Sequence, residues 1–265
     1  MPIIRVDDPG DSRIAPYRNV PDPDLLIQNG LFVAEGRMVV RRLIEGQRFS
    51  VRSVMVNDAA LVPLRDVLTT REDLPVYLVP QAVINEITGF NIHRGCLAIA
   101  ERPHPGDWRD VMRGARRAIA LDRIANADNV GSVFRSAAAF GVDAVLLERT
   151  CTDPLYRKAI RTSMGAALSI PFARTDPWPE ALRDLARDGW AVMAMTPAAS
   201  APSLREIASE VSPRRVLVVV GHEGDGLSDA VLDACTHRAR IPMMTTVDSL
   251  NVATAAAIAL YQLTL

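Results

Sequence analysis

The sequence predicts an α/β protein of two units, the second built on a parallel sheet. Three observations carry that prediction. Short β-branched runs alternate with helical patterns along most of the chain. Several runs in the second half are apolar without interruption, as strands covered on both faces require. Between the halves, residues 101–107 (ERPHPGD) hold two prolines and a glycine with no hydrophobic period, the composition of a linker.

Residues 1–25 are rich in Asp, Pro and Arg, lack apolar periodicity, and read as a tail or wrapped arm. Over residues 26–105, strands are expected at Leu31–Ala34, Val51–Val56, Val76–Val79 and Cys96–Ala100, with helices at Arg37–Glu45, Ala59–Leu68 and Pro80–Thr88. Over residues 114–265 the alternation strengthens. Strands are expected at Ala118–Leu121, Ala144–Leu147, Leu168–Phe172, Ala191–Met195, Val216–Val220 and Ala239–Ile241. Helices are expected at Val130–Phe140, Pro154–Met164, Trp178–Arg187, Leu227–Ala234 and Leu250–Leu263. Asp153-Pro154 reads as a cap followed by proline at the first helical position.

At 265 residues, 49% apolar and 23% charged, the chain has the profile of a folded globular protein. Its longest uncharged apolar stretch, Val252–Tyr261, is too short to span a bilayer, so no membrane partner and a cytoplasmic location are expected. Cys96, Cys151 and Cys235 are far apart and odd in number, which gives neither a disulfide framework nor a zinc site. His93, His104, His222 and His237 fit no metal-binding pattern, so no metal is expected. The net charge of −1 gives no global pull toward nucleic acid but leaves room for a local patch. Lys158 and Arg161 on one predicted helix, and Arg37 and Arg41 one turn apart on another, are the candidates for such a patch.

Three segments at strand-to-helix junctions carry chemistry. In the first, residues 129–135 (NVGSVFR), Asn129 can cap a helix, Gly131 permits close approach, and Arg135 lies nearly two turns on. These sit at the carboxyl edge of a strand, where open α/β sheets bind ligands. In the second, residues 221–226 (GHEGDG) follow a buried strand as a Gly-rich turn, yet lack the spacing of a dinucleotide fingerprint and the Lys-Ser/Thr ending of a phosphate loop. Glu223 within that turn would repel phosphates. In the third, residues 241–252 (IPMMTTVDSLNV), Ser249 is a natural cap for an alanine-rich helix, and the loop before it is long enough to curl around a ligand.

Taken in order across residues 114–265, the patterns N-x-G-x-x-x-R, G-x-E-x-x-G and I-P-M followed by S-L-N-V resemble the three motifs of the SpoU (TrmH-type) RNA 2′-O-ribose methyltransferases of the SPOUT superfamily. The N-terminal half, with residues 32–37 (FVAEGR) and 89–95 (GFNIHRG), resembles the ribosomal-protein-L30e-like RNA-binding domain that often precedes such a catalytic domain. The resemblance implies a SPOUT parallel sheet with a deep C-terminal trefoil knot, an exception to the rule against threaded chains. It implies S-adenosylmethionine as cofactor, contacted by Thr196, Gly221, Ile241, Met243 and Leu250. Asn129, Arg135, Glu223, Ser249 and Asn251 would form the catalytic set, and the chain would act as a homodimer. The implied substrate is RNA rather than DNA, with rRNA favoured over tRNA. Thr245 departs from the pattern, since the family commonly has glycine there. Two other readings stay open: a non-catalytic RNA-binding or ribosome-assembly protein of the same fold, and a nucleotide-dependent oxidoreductase. The second lacks a G-x-G-x-x-G sequence near a first strand.

Overall fold

A computed structural model describes residues 2–18, 22–89, 95–104, 106–212, 214–244 and 248–264. Contacts divide the chain into two units, Met1–His104 with Pro154–Ser169, and Pro105–Asp153 with Ile170–Leu265. Residues 89–95, singled out above, fall largely outside the described residues, as do Thr245 and Thr246.

The first unit begins with strand β1 (Ile3–Arg5), a 3-10 helix (Ser12–Tyr17) and helix α1 (Asp22–Asn29). It continues with β2 (Leu31–Glu35), α2 (Arg37–Gly46), β3 (Val51–Val56), α3 (Asp58–Thr69), β4 (Val76–Leu78), α4 (Gln81–Thr88) and β5 (Cys96–Glu101). The sheet order is β1-β4-β3-β5-β2, with β5 antiparallel to both its neighbours. The segment expected to be a tail or wrapped arm is part of this sheet, because β1 pairs in parallel with β4. Val6, Ile14 and Tyr17 are buried, and the Tyr17 hydroxyl meets Ser53 Oγ at 2.7 Å. An extended stretch and a single 3-10 turn need no helical or alternating repeat, so these buried residues leave no periodic signature. Helix α2 buries Val39, Val40, Leu43 and Ile44 along one face.

The second unit starts with α5 (Trp108–Met112), β6 (Arg117–Leu121), α6 (Ala127–Ala139) and β7 (Ala144–Glu148). The chain then contributes α7 (Arg157–Thr162) and a 3-10 turn (Ala166–Leu168) to the first unit, where Arg42 of α2 donates to Met164 O at 2.7 Å. It returns through β8 (Phe172–Thr175), α8 (Trp178–Arg187), β9 (Ala191–Met195), α9 (Leu204–Val211), β10 (Val216–Val220), α10 (Asp229–Ala234), β11 (His237–Ala239) and α11 (Val252–Gln262). The six strands run in the order β11-β9-β10-β6-β7-β8, and every neighbouring pair is parallel. All five residues of β10 are buried, as its uninterrupted valines and leucine require. Trp178, Leu182 and Leu185 of α8 pack into the same cluster as Leu217 and Val219.

Four expectations need correction. Helix α7 starts after Tyr156, not at Pro154, because Asp153 faces Arg174 at 3.2 Å and Leu155 is buried in the turn. The strand expected at Leu168–Phe172 is a 3-10 turn followed by β8, since Gly165 at φ +84° and the Ser163 hydroxyl wind the backbone tightly there. Strand β11 ends at Ala239, before Ile241. Helices α1, α5 and α9 were not expected. No helix among the described residues is long and apolar enough to cross a membrane.

Candidate active site

Strand register gathers the site. β10 lies between β9 and β6, pairing Val220 with Leu121 and Val219 with Ala194, while β11 pairs Ala239 with Met195. The carboxyl ends of these four strands therefore lie side by side, and the segments that follow β9, β10 and β11 enclose a cleft with about 700 Å³ of empty space, open solvent included. Thr196, Gly221, Ile241, Met243 and Leu250 all line it, so the residues expected to hold a cofactor share one wall system. Glu223 and Ser249 line it as well. Gly221 has no room for a side chain: a Cβ there would lie 2.8 Å from the Gly226 carbonyl carbon and 2.7 Å from Leu227 Cδ2.

The three motifs interlock through side-chain amides. Asn129, only 8% exposed, donates from Nδ2 to Glu223 Oε1 and accepts from Asn251 Nδ2 at 3.0 Å. Asn251 Oδ1 in turn accepts from the backbone N–H groups of Ala253 at 2.9 Å and Thr254 at 3.3 Å. One chain of hydrogen bonds thus joins the first turn of α6, the turn after β10 and the start of α11. Two capping expectations are corrected here. Asn126 caps α6, accepting from Asp128 N, which leaves the Asn129 amide for Glu223 and Asn251. Asn251 caps α11, while Ser249 sits two residues earlier in the cleft wall.

The Gly221–Gly226 turn is also held from within. His222 Nδ1 accepts from Gly224 N at 3.1 Å and Asp225 N at 3.2 Å, which places the ring proton on Nε2. Gly226 N donates to His222 O at 3.1 Å. Glu223 forms no ion pair among the described residues, and it lines the cleft. Arg135 lies six residues beyond Asn129, about 120° around the helix from it. It is exposed and makes no hydrogen bond or ion pair among the described residues. The structure therefore brings Asn129, Glu223 and Asn251 together and leaves Arg135 outside that bonded set.

The four basic candidates all lie in the first unit, where α2 and the 157–165 segment pack together. They are not equivalent. Arg37 is exposed, and Arg161 Nη1 lies 4.0 Å from Glu35. Arg41 is engaged by both Asp66 oxygens at 2.7 Å, by Glu45 and by the Pro63 carbonyl, which makes it a tie between α2 and α3. No group of His, Cys, Asp and Glu suited to a metal occurs among the described residues. The sequence reading passed over Arg123, whose guanidinium reaches the Gly221–Gly226 turn. Its only sequence signal is an Asp-Arg pair at a strand end.

The model of the SpoU rRNA Methylase family matches residues 116–261, more than half of the chain. The chain belongs to that family. The match spans the sheet, the cleft and all three interlocked motifs. An uncharacterized tRNA/rRNA methyltransferase of Mycobacterium tuberculosis H37Rv is 41% identical to this SpoU-family chain over 263 residues, 98% of this chain and 91% of that one. Among solved structures, the AdoMet-bound rRNA methyltransferase of Sinorhizobium meliloti superposes with a TM-score of 0.83 at 24% identity, covering 98% of this chain and 97% of that one. An RNA 2′-O ribose methyltransferase superposes with a TM-score of 0.77 at 25% identity, covering 98% of each chain.

Proposed function

We propose that this SpoU-family protein transfers a methyl group from S-adenosylmethionine to a ribose 2′-hydroxyl in structured RNA, with rRNA the favoured substrate. The observation that carries this reading is the hydrogen-bonded interlock of Asn129, Glu223 and Asn251 around a cleft lined by Thr196, Gly221, Ile241, Met243 and Leu250. The residues suit the cofactor. The lining offers apolar surface and backbone polar groups, the absence of a Cβ at Gly221 lets the Gly226–Leu227 backbone close against the cleft wall, and the Glu223 carboxylate favours a cationic ligand. When bound, S-adenosylmethionine supplies a methyl carbon already activated by positive sulfur.

The protein's task is alignment, which contributes roughly 7–11 kcal/mol in the best intramolecular cases. Asn129 and Asn251 hold the loops that shape the cleft, and Ser249 lines it. A guanidinium is in effect a permanent cation, so Arg135 is assigned to clamping phosphate and orienting the ribose hydroxyl rather than to taking its proton. Residues 26–105 form the RNA-binding domain in this reading, of the ribosomal-protein-like type, with Arg37 as a contact, and Lys158 and Arg161 of the 157–162 helix add further contacts. The 114–265 domain carries the trefoil knot, the alanine-rich α11 packs in a homodimer, and the protein works in the cytoplasm. The named tRNA/rRNA relatives support RNA as the substrate class, and the solved 2′-O enzyme of the same architecture supports the ribose as acceptor.

Transfer of radiolabelled methyl from S-adenosylmethionine to total rRNA and, separately, to tRNA tests this function. Label is expected in rRNA. Arg135→Ala should keep its fold and its affinity for S-adenosylhomocysteine yet lose transfer by at least about a hundredfold, the scale of one stabilising group. Label in tRNA alone moves the substrate to tRNA. No label in either pool, despite cofactor binding, favours the non-catalytic RNA-binding reading. Undiminished transfer by Arg135→Ala removes that residue from the mechanism.

A further inference from the structure

Arg123, in the loop after β6, has no part in the mechanism above. Asp122 N donates to Val220 O at 2.9 Å, extending the β6–β10 pairing, so Arg123 leaves the sheet beside the start of the Gly221–Gly226 turn. Its backbone lies at φ +56°, a left-handed conformation uncommon for a residue with a side chain. Its guanidinium makes three approaches: Nη2 donates to Gly226 O at 2.9 Å, Nε donates to Asp122 Oδ2 at 3.3 Å, and Nη1 lies 3.9 Å from Asp225 Oδ2. Asp122 is only 2% exposed, so packing fixes the carboxylate that anchors this fork.

What Arg123 grips is the wall of the cleft. The N–H groups of Gly224, Asp225 and Gly226 are turned inward onto His222, and the Gly226 carbonyl is where a side chain from another loop takes hold. Gly226 and Gly221 both line the cleft, and the carbonyl carbon of Gly226 stands 2.8 Å from where a Cβ of Gly221 would be. The peptide that Arg123 holds therefore sets the close approach at Gly221. A turn with glycines at 224 and 226 has wide conformational freedom, and fixing it before a ligand arrives lowers the ordering cost of binding.

We propose that Arg123 is a positioning residue for the cofactor: anchored on buried Asp122, its guanidinium clamps the Gly226 carbonyl and presets the cleft wall facing Gly221. This rests on the reading that the cleft holds S-adenosylmethionine. Arg123 would act through the turn, with no contact to the transferred group.

Calorimetric titration of S-adenosylhomocysteine into the wild type, Arg123→Gly and Arg123→Lys tests the clamp. Glycine accepts the positive φ without strain, so Arg123→Gly keeps the backbone path and removes the guanidinium. Lysine keeps a cation beside Asp122 but lacks the planar fork that spans two acceptors. Both variants should bind about tenfold more weakly, the scale of one charge-assisted hydrogen bond. In turnover the KM for S-adenosylmethionine should rise in parallel while kcat at saturating cofactor is preserved. A merely structural role would lower the thermal midpoint and leave affinity and KM alone. If Arg123→Gly fails to fold, Arg123→Lys carries the test. Unchanged affinity in either folded variant overturns the clamp alone, whereas a wild type that binds no S-adenosylhomocysteine overturns the cofactor reading and the clamp with it.

Discussion

Asn129 uses both ends of its amide, giving a proton to Glu223 and taking one from Asn251, in a position where water has little access. Removing such a buried partner leaves polar groups unmade, which costs about 1–3 kcal/mol. Asn129→Ala should therefore lower the thermal midpoint and weaken transfer. Asn129→Asp should be worse, because it sets a second carboxylate against Glu223 where a donor stood. An aspartate variant as stable as the wild type would contradict the observed donor assignment. The cysteines make a separate prediction. Burial pushes the Cys151 thiol up to about 11 and the Cys235 thiol up to about 12, from an ordinary value of 9.0. In the unfolded chain these thiols ionise first, so their contribution to stability is intact below about pH 9 and falls as pH rises through 9 toward 11–12. Native protein at pH 8 should resist alkylation at these two positions and react fully in denaturant. Rapid native labelling of Cys151 would contradict its burial.

Elements with uninterrupted apolar runs or a clear amphipathic stripe were legible in the sequence, as β3, β9, β10 and α8 show with matching bounds. Others were hidden because tertiary contacts redirect a local signal. Asp153 looks like a helix cap and is instead turned toward Arg174. The opposite error occurred at α9, where Ser203 and Glu206 form a capping box that the sequence displays and the reading passed over. The start of α11 offers a direct test at this scale. Asn251→Ala removes a cap worth about 1 kcal/mol and breaks the tie to Asn129, whereas Ser249→Ala removes neither. Thermal unfolding should separate the two variants, with Ser249→Ala close to the wild type. Equal destabilisation would return the capping role to Ser249. The meeting of Asn129, Glu223 and Asn251 was legible only through the family resemblance, since spacing alone does not bring residues 122 positions apart together. Arg123 was beyond reach, because its grip on Gly226 exists only once β6 and β10 are neighbours.

Across the whole molecule, the cleft lies at the carboxyl edge of the parallel sheet, while Arg37, Arg41, Lys158 and Arg161 lie in the other unit. Contacts of cationic side chains with RNA phosphates should make binding fall with salt. The geometry splits the two α2 arginines. Arg37→Glu should weaken RNA binding and spare both stability and cofactor affinity. Arg41→Glu should lower the thermal midpoint first, because it sets a carboxylate against Asp66 and Glu45. A stable Arg41→Glu variant with reduced RNA affinity would place Arg41 on the RNA instead. The measurement that tests the central claim most directly is the position of the transferred methyl. RNA methylated by the wild-type protein would be digested to nucleosides and fragmented by mass spectrometry. Cleavage of the glycosidic bond is predicted to release an unmethylated base and a sugar heavier by one methyl; a methylated base with an unmodified sugar would contradict it.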